Sequence, residues 1–435
     1  MRFSDNGMSA ILLCSYIGIR HNDTLKPLSL KEWNEFLDRT AQYGQQPGIV
    51  MKQDQTFLKE AGYGQEYAER IKKLVFRGGT VAFELDDLQR KGIEVITPYD
   101  QDYPVLLKRR LKKKTPPVLF YSGDITLAKK IGIGVVGSRN VDDNGIRFTQ
   151  ALVEKAASER LIVYSGGAKG VDTISERAAI ESGSAAVSFV ADSLLSKIRK
   201  KDLIDSIISK QRLLISDVKP DVGFTAARAM NRNKYIYASS YGTFVVASDY
   251  NKGGTWAGAT EAMRNGWTKV LVWNGGGYEG NKKLIEKGAV PYELSEASVY
   301  DMVTRKEEDF QQIDMFSFAQ SGGKRQEAAS QQKELSKQPE VREKGEEEMT
   351  LPQKDVPPPE ERRAEQEQAA ADGRIDLYDV AGSYIIAHIG DGMTRDEAAE
   401  VFQVAKKQME TWLKRLCQES RLKCVKGRYV RWENT

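Results

Sequence analysis

Residues 131–140 read IGIGVVGSRN and residues 161–172 read LIVYSGGAKGVD, and these two segments decide the fold. In each of them a short, almost wholly apolar run ends in glycine and serine. Runs of this length are typical of strands that are buried on both faces of a sheet. Phe148, Leu152 and Ala156 recur between them at helical spacing. The sequence therefore predicts consecutive β-α-β-α elements.

Each predicted strand is followed by a loop of small residues. The loops contain Gly137, Ser138 and Arg139, and Ser165, Gly166, Gly167, Lys169 and Gly170. Such loops meet at the carboxyl ends of parallel strands, where glycines let the backbone approach phosphate and helix N-termini offer N–H groups. Arg139 and Lys169 add one cation to each loop. We interpret the loops as a phosphate-binding site, with tight-turn geometry alone as the alternative.

Two later segments combine cations with glycine or asparagine in the same alternating pattern. They contain Arg232, Asn233 and Lys234, and Lys252, Gly253 and Gly254. Apolar runs at 185–190, 213–215, 244–246 and 269–273 supply further strands. Strands that alternate with helices over this length predict a doubly wound α/β domain, in which all four segments contribute to phosphate binding.

The overall charge limits what the protein can bind. The chain has 435 residues, which suits two to four domains, and a formal net charge of +4. That charge excludes a uniformly basic surface but permits basic patches. Residues 108–114 are cationic at every position except Leu111, and this run indicates either a solvated surface or nucleic-acid contact.

Cysteine and histidine usage argues against a metal site. The three cysteines show no C-x-x-C spacing and there are two histidines, so we predict no zinc and reduced thiols in the cytoplasm. No Ser-His-Asp or Cys-His set and no acidic metal cluster is visible, so we also predict no enzymatic activity and no cofactor. The apolar run 10–19 is interpreted as a buried helix, and no segment is predicted to span a membrane.

Composition divides the chain into four parts. Residues 1–92 predict a helical N-terminal domain, and residues 93–304 predict the α/β domain. Residues 305–374 are rich in Gln, Glu, Lys, Ser and Pro, which predicts a disordered linker. Residues 375–435 regain periodicity and predict a C-terminal winged helix.

The C-terminal segment has helix and hairpin signals. Residues 394–397 form a capping box, a helix is expected over about 406–420, and two short runs flank Lys426-Gly427 as a hairpin. Lys414 and Arg415 lie on the expected helix. A winged helix can place its third helix in a major groove, and the alternative is a protein-binding winged helix with solvated cations.

These motifs together resemble the DprA/Smf family of DNA-processing proteins. The resemblance rests on Gly137 to Arg139, Ser165 to Asp172, Ile215 to Asp217, Arg232 to Lys234 and Gly280 to Ala289, and it covers nearly the whole chain except the linker. It implies an extended Rossmann-like domain that binds single-stranded DNA, often as a homodimer, and loads a RecA-type recombinase. By the same resemblance Arg139 and Lys169 are the phosphate-binding cations. Independently of it, Tyr235 or Trp256 near these loops is a candidate for stacking on bases, with a place in the core as the alternative.

Three departures from the family pattern concern the pocket. Glu176 stands where the family usually has histidine, Ala247 stands where it has an acidic residue, and residues 252–256 replace a Ser-Gly-Ser-type loop. The segment from Gly253 also resembles the Gly-Gly-x-Gly-Thr-x-x-Glu motif of nucleotide phosphoribohydrolases, with Glu261 misspaced. A phosphoribohydrolase-like or nucleotide-binding protein is therefore an alternative, and so is a nucleotide-sensing regulator that uses its winged helix.

One short motif interrupts the linker. Gln312, Met315 and Phe316 resemble the Q-x-x-[LM]-F peptide by which many bacterial proteins dock on the replication sliding clamp. A short apolar motif in a disordered linker can bind a pocket while the rest stays free. The alternative is that this peptide packs on the central domain.

Overall fold

The fold is given by a computed structural model. It describes residues 2–20, 23–52, 56–304, 375–376, 382, 385–386, 389, 392–402, 406–419, 421–425 and 428–431. Across these ranges, no helix is both long enough and apolar enough to cross a bilayer.

The N-terminal part is helical, as predicted. Its elements are β1 (Arg2–Phe3), α1 (Asp5–Cys14), α2 (Leu30–Gln42), α3 (Thr56–Glu60), α4 (Gln65–Phe76) and α5 (Gly78–Arg90). Ile11, Leu12 and Leu13 are fully buried, so the apolar run near the N-terminus is a buried helix. A capping box fixes the start of α2, because Ser29 Oγ accepts from the Glu32 amide and the Ser29 amide donates to the Glu32 carboxylate.

The central part alternates strands and helices. In chain order they are β2 (Glu94–Ile96), α6 (Val105–Leu111), β3 (Leu119–Gly123), β4 (Gly132–Val136), α7 (Asp143–Ser158), β5 (Ile162–Ser165), α8 (Val171–Glu181), β6 (Ala186–Phe189), α9 (Leu194–Lys197), α10 (Lys201–Ile208), β7 (Arg212–Ser216), α11 (Ala226–Ser239), β8 (Gly242–Val245), α12 (Gly253–Asn265), β9 (Lys269–Trp273), α13 (Glu279–Glu286), β10 (Val290–Tyr292) and α14 (Val299–Thr304). Each predicted strand of this region is present.

The strands of the central part form one sheet in the order β10-β9-β8-β4-β5-β6-β7-β3-β2. Strand β3 is antiparallel to both of its neighbours, and the other adjacent pairs are parallel. From β4 the chain proceeds through β5, β6 and β7, and then returns to β8 on the other side of β4. The Rossmann-like, doubly wound prediction is therefore confirmed, and its topological switch point lies between β4 and β8.

Strand β10 was not predicted from the sequence. It is a short edge strand that contains Pro291, and Val290 and Pro291 are exposed. Proline is tolerated at a sheet edge because its missing N–H faces no partner strand. A strand of this kind carries almost no apolar signal.

Helices cover both faces of the sheet. On one face α7, α8 and α14 contribute Leu152, Ala179 and Val303 to a core with the strands. On the other face α6, α11 and α12 contribute Leu107, Ile236 and Ala259 to a second core. Burial on both faces explains why the central strands read as continuous apolar runs.

Two glycines of β4 serve packing. Gly132, Gly134 and Gly137 have the spacing of a dinucleotide-binding fingerprint, but the first two lie inside the strand. A Cβ on Gly134 would lie 2.7 Å from Thr243 Oγ1 and 2.8 Å from Ser240 Oγ. Gly134 therefore lets β8 and the end of α11 approach β4 closely, Gly132 lets β5 do so, and neither glycine forms a phosphate loop.

The C-terminal part contains β11 (Ile375–Asp376), β12 (Met393–Thr394), α15 (Arg395–Val401), α16 (Lys406–Gln418), β13 (Leu422–Val425) and β14 (Arg428–Arg431). Strands β13 and β14 pair antiparallel as the expected hairpin, and β12 adds to β14. The capping box at Thr394 and Glu397 is present at the start of α15. Two of the three helices expected of a winged helix are present together with a three-stranded sheet, and most of the segment expected to form the first helix lies outside the described residues.

One apolar core joins these parts of the chain. It contains Leu12 and Leu85 from the N-terminal helices, Leu214 from the sheet, and Trp412 and Leu416 from α16. Strand β1 also pairs with β11. The N-terminal helices therefore pack on the sheet and on the winged helix at once.

Candidate functional site

A cleft of ≈ 430 Å³ opens at the switch point of the sheet. It is lined by residues 136–140 after β4, residues 247 and 249 after β8, the first turn of α12, and one side of α11. In open α/β sheets ligands bind at this position, beyond the carboxyl ends of the strands. The fold therefore brings most of the predicted phosphate-binding segments to one place.

The first predicted loop lies directly on the cleft. Gly137, Ser138 and Arg139 are all among its lining residues. Ser138 Oγ accepts a hydrogen bond of 3.1 Å from the Asn140 amide, which fixes the turn after β4. Arg139 is exposed, and its guanidinium lies 5.3 Å from the ring centre of Phe224.

The second predicted loop lies against the first. Gly170 has φ +79°, and a Cβ on it would overlap the Ser138 carbonyl oxygen and lie 2.7 Å from Arg139 Cα. The Val171 amide donates to that same carbonyl at 3.2 Å. Only glycine permits this backbone and this approach. Lys169, which is exposed, is thus carried next to the backbone of Arg139.

The amides of the second loop are not free, contrary to expectation. The Gly167 amide donates to Glu176 Oε1 at 2.8 Å, and the Ala168 amide approaches Asp172 Oδ2 at 3.4 Å. Ser165 Oγ donates to the Val135 carbonyl at 2.7 Å. The chain's own groups use these positions, so Ser165 and Gly167 shape the loop, and the amide of Gly167 is unavailable to a bound phosphate.

Glu176 is held by a buried counter-ion. Arg212 Nη1 donates to Glu176 Oε2 at 2.7 Å, with side-chain exposures of 7% and 5%. Arg212 also donates to Ser188 Oγ and Ser206 Oγ. The Glu176 carboxylate therefore has a buried partner and accepts a hydrogen bond from the glycine loop.

Arg232 and Asn233 reach the cleft from α11. Arg232 is 5% exposed and packs so closely on Gly166 that a Cβ there would overlap its guanidinium. Asn233 Nδ2 donates to the Gly254 carbonyl at 2.9 Å and thereby links α11 to the start of α12. Lys252, Gly253 and Gly254 also line the cleft, with Lys252 exposed.

Lys234 lies elsewhere, although the sequence groups it with Arg232. Its ammonium donates to Asn231 Oδ1 at 2.7 Å and lies 5.1 Å from the ring centre of Tyr235. It lines a neighbouring cavity together with Asp217 and Arg228. Burial lowers the pKa of Lys234, with the Asp217 carboxylate acting in the opposite direction.

The pair Asp172 and Arg232 dominates the electrostatics of the cleft. Asp172 Oδ2 lies 3.8 Å from Arg232 Nη1, and both side chains are buried. Burial raises the pKa of Asp172 to about 6, Arg232 lowers it, and Glu176 raises it. Burial also lowers the pKa of Arg232, and Asp172 opposes that shift.

The basic run 108–114 is placed outside the cleft. Lys113 pairs with Asp38 at 2.7 Å and Lys114 with Glu261 at 3.0 Å. Arg110 donates to carbonyls at the end of α11, including that of Ser240. The run therefore connects α6 to α2, to α12 and to the end of α11. Glu261 pairs with Lys114 of this run and does not line the cleft. The phosphoribohydrolase alternative requires that carboxylate in the cleft.

Sequence reasoning missed the exposed apolar side chains near the cleft. Tyr235 and Trp256 are buried, with 2% and 7% exposed, so they belong to the core. Phe224 and Met230 are instead 53% and 55% exposed. The only sequence signal was a lone aromatic in a polar loop that precedes a helix, which does not distinguish a surface ring from a core ring.

The winged helix has few unpaired cations among its described side chains. Lys414 pairs with Glu410 at 2.8 Å and Arg415 with Glu419 at 3.0 Å, both within or next to α16. Such exposed pairs neutralise charge locally while contributing little stability. Gln312, Met315 and Phe316 lie outside the described residues. Within the described ranges, no group of His, Cys, Asp and Glu side chains is placed to hold a metal.

Comparison with known proteins identifies relatives of this arrangement. A family model described as DNA recombination-mediator protein A matches residues 94–303. The chain is 28% identical over 207 residues to DNA processing protein DprA of Bacillus subtilis, covering 46% of this chain and 68% of that protein. It is 25% identical over 241 residues to protein Smf of Escherichia coli, covering 54% and 63%.

A solved structure supports the fold. The X-ray structure of DNA processing protein A (DprA) from Streptococcus pneumoniae is similar with a TM-score of 0.50 and 21% identity, covering 67% of this chain and 95% of that chain. At that identity the likeness concerns the fold.

Proposed function

The chain belongs to the DprA/Smf family of DNA-processing proteins, and from this premise we propose that it binds single-stranded DNA. In this proposal the protein protects the strand and passes it to a RecA-type recombinase, in transformation, recombination or DNA-related defence. It acts in the cytoplasm and by binding alone, without making or breaking a bond.

The meeting of the two loops carries the proposal. Arg139 and Lys169 are both exposed, and the backbones that bear them touch through Gly170. Lys169 forms no hydrogen bond or ion pair with any residue that the structure describes. Lys252 is a third exposed cation, and it lines the cleft together with Arg139, whereas Lys169 does not line it. Neighbouring cations that lack carboxylate partners suit the closely spaced phosphates of a strand.

Exposed apolar groups beside these cations suit the bases. The Phe224 ring lies under Arg139, and Met230 lines the cleft from α11. Single exposed apolar side chains are common on protein surfaces, and these two are of interest because they lie beside exposed cations. Stacking of a base on an exposed ring contributes about 1–3 kcal/mol and tolerates any sequence. We therefore assign Phe224 as the stacking residue, in place of Tyr235 and Trp256.

The decisive experiment measures binding of a labelled oligodeoxythymidylate against salt concentration. We expect the affinity of the full chain to fall steeply as salt rises. In an Arg139→Ala, Lys169→Ala variant the slope of log K against log salt should shrink by about 1.4, since each neutralised phosphate of a single strand contributes about 0.7.

A matched variant controls for the loss of charge. Arg177→Ala with Lys113→Ala removes the same two charge types from exposed positions that do not line the cleft. This variant should bind like the wild type. If both double variants bind with equal affinity and slope, the proposed site is wrong.

The protein partners are part of the proposal. The family resemblance supports a RecA-type recombinase and a homodimer, and the peptide with Gln312, Met315 and Phe316 supports a sliding clamp. Purified clamp should be retained by the immobilised full chain and lost on Met315→Ala with Phe316→Ala. Retention by that variant would remove the clamp from the list of partners.

A further inference from the structure

Arg232 has hydrogen-bonding capacity that the chain does not use. It is 5% exposed, and its Nε and Nη1 atoms have no hydrogen-bond acceptor among the described residues. Asp172 Oδ2, at 3.8 Å from Nη1, balances the charge but is too distant to accept a hydrogen bond. A buried donor without an acceptor costs free energy, more so when it is charged. The position therefore calls for an acceptor from outside the chain.

The start of α12 faces the same cleft. Gly253, Gly254 and Thr255 line it, and no side chain of Lys252 caps the first turn of this 13-residue helix. First-turn amides and the helix dipole both favour an anion. By contrast, Glu176 and Asp172 already use the Gly167 and Ala168 amides. An anion in this cleft would thus take its donors from Arg232 and α12, which we call the floor.

The floor differs from the exposed cations above it. Arg139 and Lys252 are exposed and also line the cleft, and we call them the rim. A phosphodiester inside a strand continues in two directions, so it can contact the rim while its neighbours stay outside. A phosphomonoester is attached on one side only, which lets it enter a narrow site and contact a buried guanidinium.

We propose that the floor binds a phosphomonoester, supplied either by the terminal phosphate of a DNA strand or by a free nucleotide. This inference deepens the proposed function, on which it rests, by naming the group that the cleft selects. The cleft volume of ≈ 430 Å³ lies in the range of small-molecule sites. Ala226, Ala229 and Met230 give it an apolar wall on α11 for the attached nucleoside.

The test compares strands that differ only at their ends. Oligodeoxythymidylates of one length, carrying a 5′-phosphate, a 3′-phosphate or no terminal phosphate, are titrated with the full chain. Thymidine 5′-monophosphate serves as the free nucleotide. We expect a terminal phosphate to raise the affinity about ten- to hundredfold, since hydrogen bonds to charged groups are the strong class.

Two variants separate the floor from general charge attraction. Arg232→Lys keeps the charge but loses the planar fork, and should reduce the preference for terminal phosphate. Because Arg232 is buried, a second variant, Ala229→Leu, tests the same cleft without changing that residue. Leucine is compatible with the helix and fills part of the cleft. It should bring the ratio of affinities with and without a terminal phosphate toward one. The Arg177→Ala, Lys113→Ala variant should keep the full ratio.

Each outcome decides the matter. Competition by thymidine 5′-monophosphate identifies the free nucleotide as a ligand, whereas preference without competition identifies the strand end. A ratio near one in the wild type, with no nucleotide binding, overturns the inference and leaves the proposed function standing if the strands still bind. Nucleotide binding without binding of any strand overturns the proposed function instead.

Discussion

At the scale of single residues, the buried carboxylate of Glu176 is compensated inside the chain. Glu176 would be costly where it lies if it were alone, because a buried carboxylate loses its hydration. Arg212 supplies a counter-ion at 2.7 Å and the Gly167 amide supplies a second donor at 2.8 Å. Glu176 is therefore paired inside the chain and holds the Gly167 amide.

Asp172 should make stability depend on pH. Burial raises its pKa to about 6 in the folded chain, above an ordinary value near 3.8. A raised carboxyl pKa means that its contribution to stability is complete below about pH 4 and is lost as the pH rises through about 6. The free energy of unfolding in urea should be measured at pH 4 and at pH 7. Between these pH values it should fall by about 2–3 kcal/mol more in the wild type than in Asp172→Asn.

An exposed carboxylate provides the control for that measurement. Asp38→Asn, at a side chain 56% exposed, should leave the difference between the two pH values close to that of the wild type. Arginine stays charged at both pH values, so Arg232 adds no pH dependence of its own in either protein. Equal pH dependence in wild type and Asp172→Asn would contradict the assignment.

At the scale of elements, the site depends on two strand-helix loops that touch. Gly170 starts α8 with φ +79° against the Ser138 and Arg139 backbone. At the end of β5, Ser165 Oγ donates to the Val135 carbonyl of β4, and the Arg232 guanidinium packs on Gly166. The spacing of Arg139 and Lys169 is thus set by backbone packing and not by the side chains themselves.

Gly170→Ala should separate the loops. We expect a loss of several kcal/mol of stability, because the Cβ adds overlap with the Ser138 carbonyl to the strain of a left-handed backbone. Gly183→Ala is the matched control: Gly183 has φ +74° but nothing within 4 Å of its Cβ position. It should cost about 1 kcal/mol. Chemical denaturation of both variants gives the comparison, and equal losses would show that the loop contact is loose.

At the scale of the whole molecule, one core couples the winged helix to the N-terminal helices. Trp412 is 8% exposed, and the Cβ position of Gly79 at the start of α5 lies 3.8 Å from its ring. Phe120 of β3 and Leu214 of β7, two neighbouring strands near the β2 edge of the sheet, belong to the same core. The N-terminal helices therefore share one core with the winged helix and with these strands.

Trp412→Ala should weaken more than the winged helix. Truncating a buried tryptophan costs about 3–5 kcal/mol. Because the core is shared, amide hydrogen exchange should speed up in α5 as well as in α16. Val401→Ala, at a position 45% exposed, should change neither. Unchanged exchange in α5 of the Trp412 variant would show that the two parts unfold independently.

The sequence by itself determined the fold class and most of the site segments. Apolar runs that end in small residues are local signals, and burial on both faces makes them unambiguous, so the strands, the capping box at Thr394 and the loops with Arg139 and Lys169 were all predicted. Strand β10 was not predicted, because an exposed edge strand that contains a proline has no continuous apolar run.

Only the tertiary structure decided which of the predicted residues face the cleft. Lys234 is two positions from Arg232 and points to a different cavity because a helix turns about 100° per residue. Cations of the 108–114 run pair with carboxylates or donate to carbonyls on other elements, and the Gly167 amide donates to Glu176. Packing also decides exposure, because the Phe224 ring stays exposed while the rings of Tyr235 and Trp256 are buried. Partners distant in sequence are chosen by packing, and no local pattern records that choice.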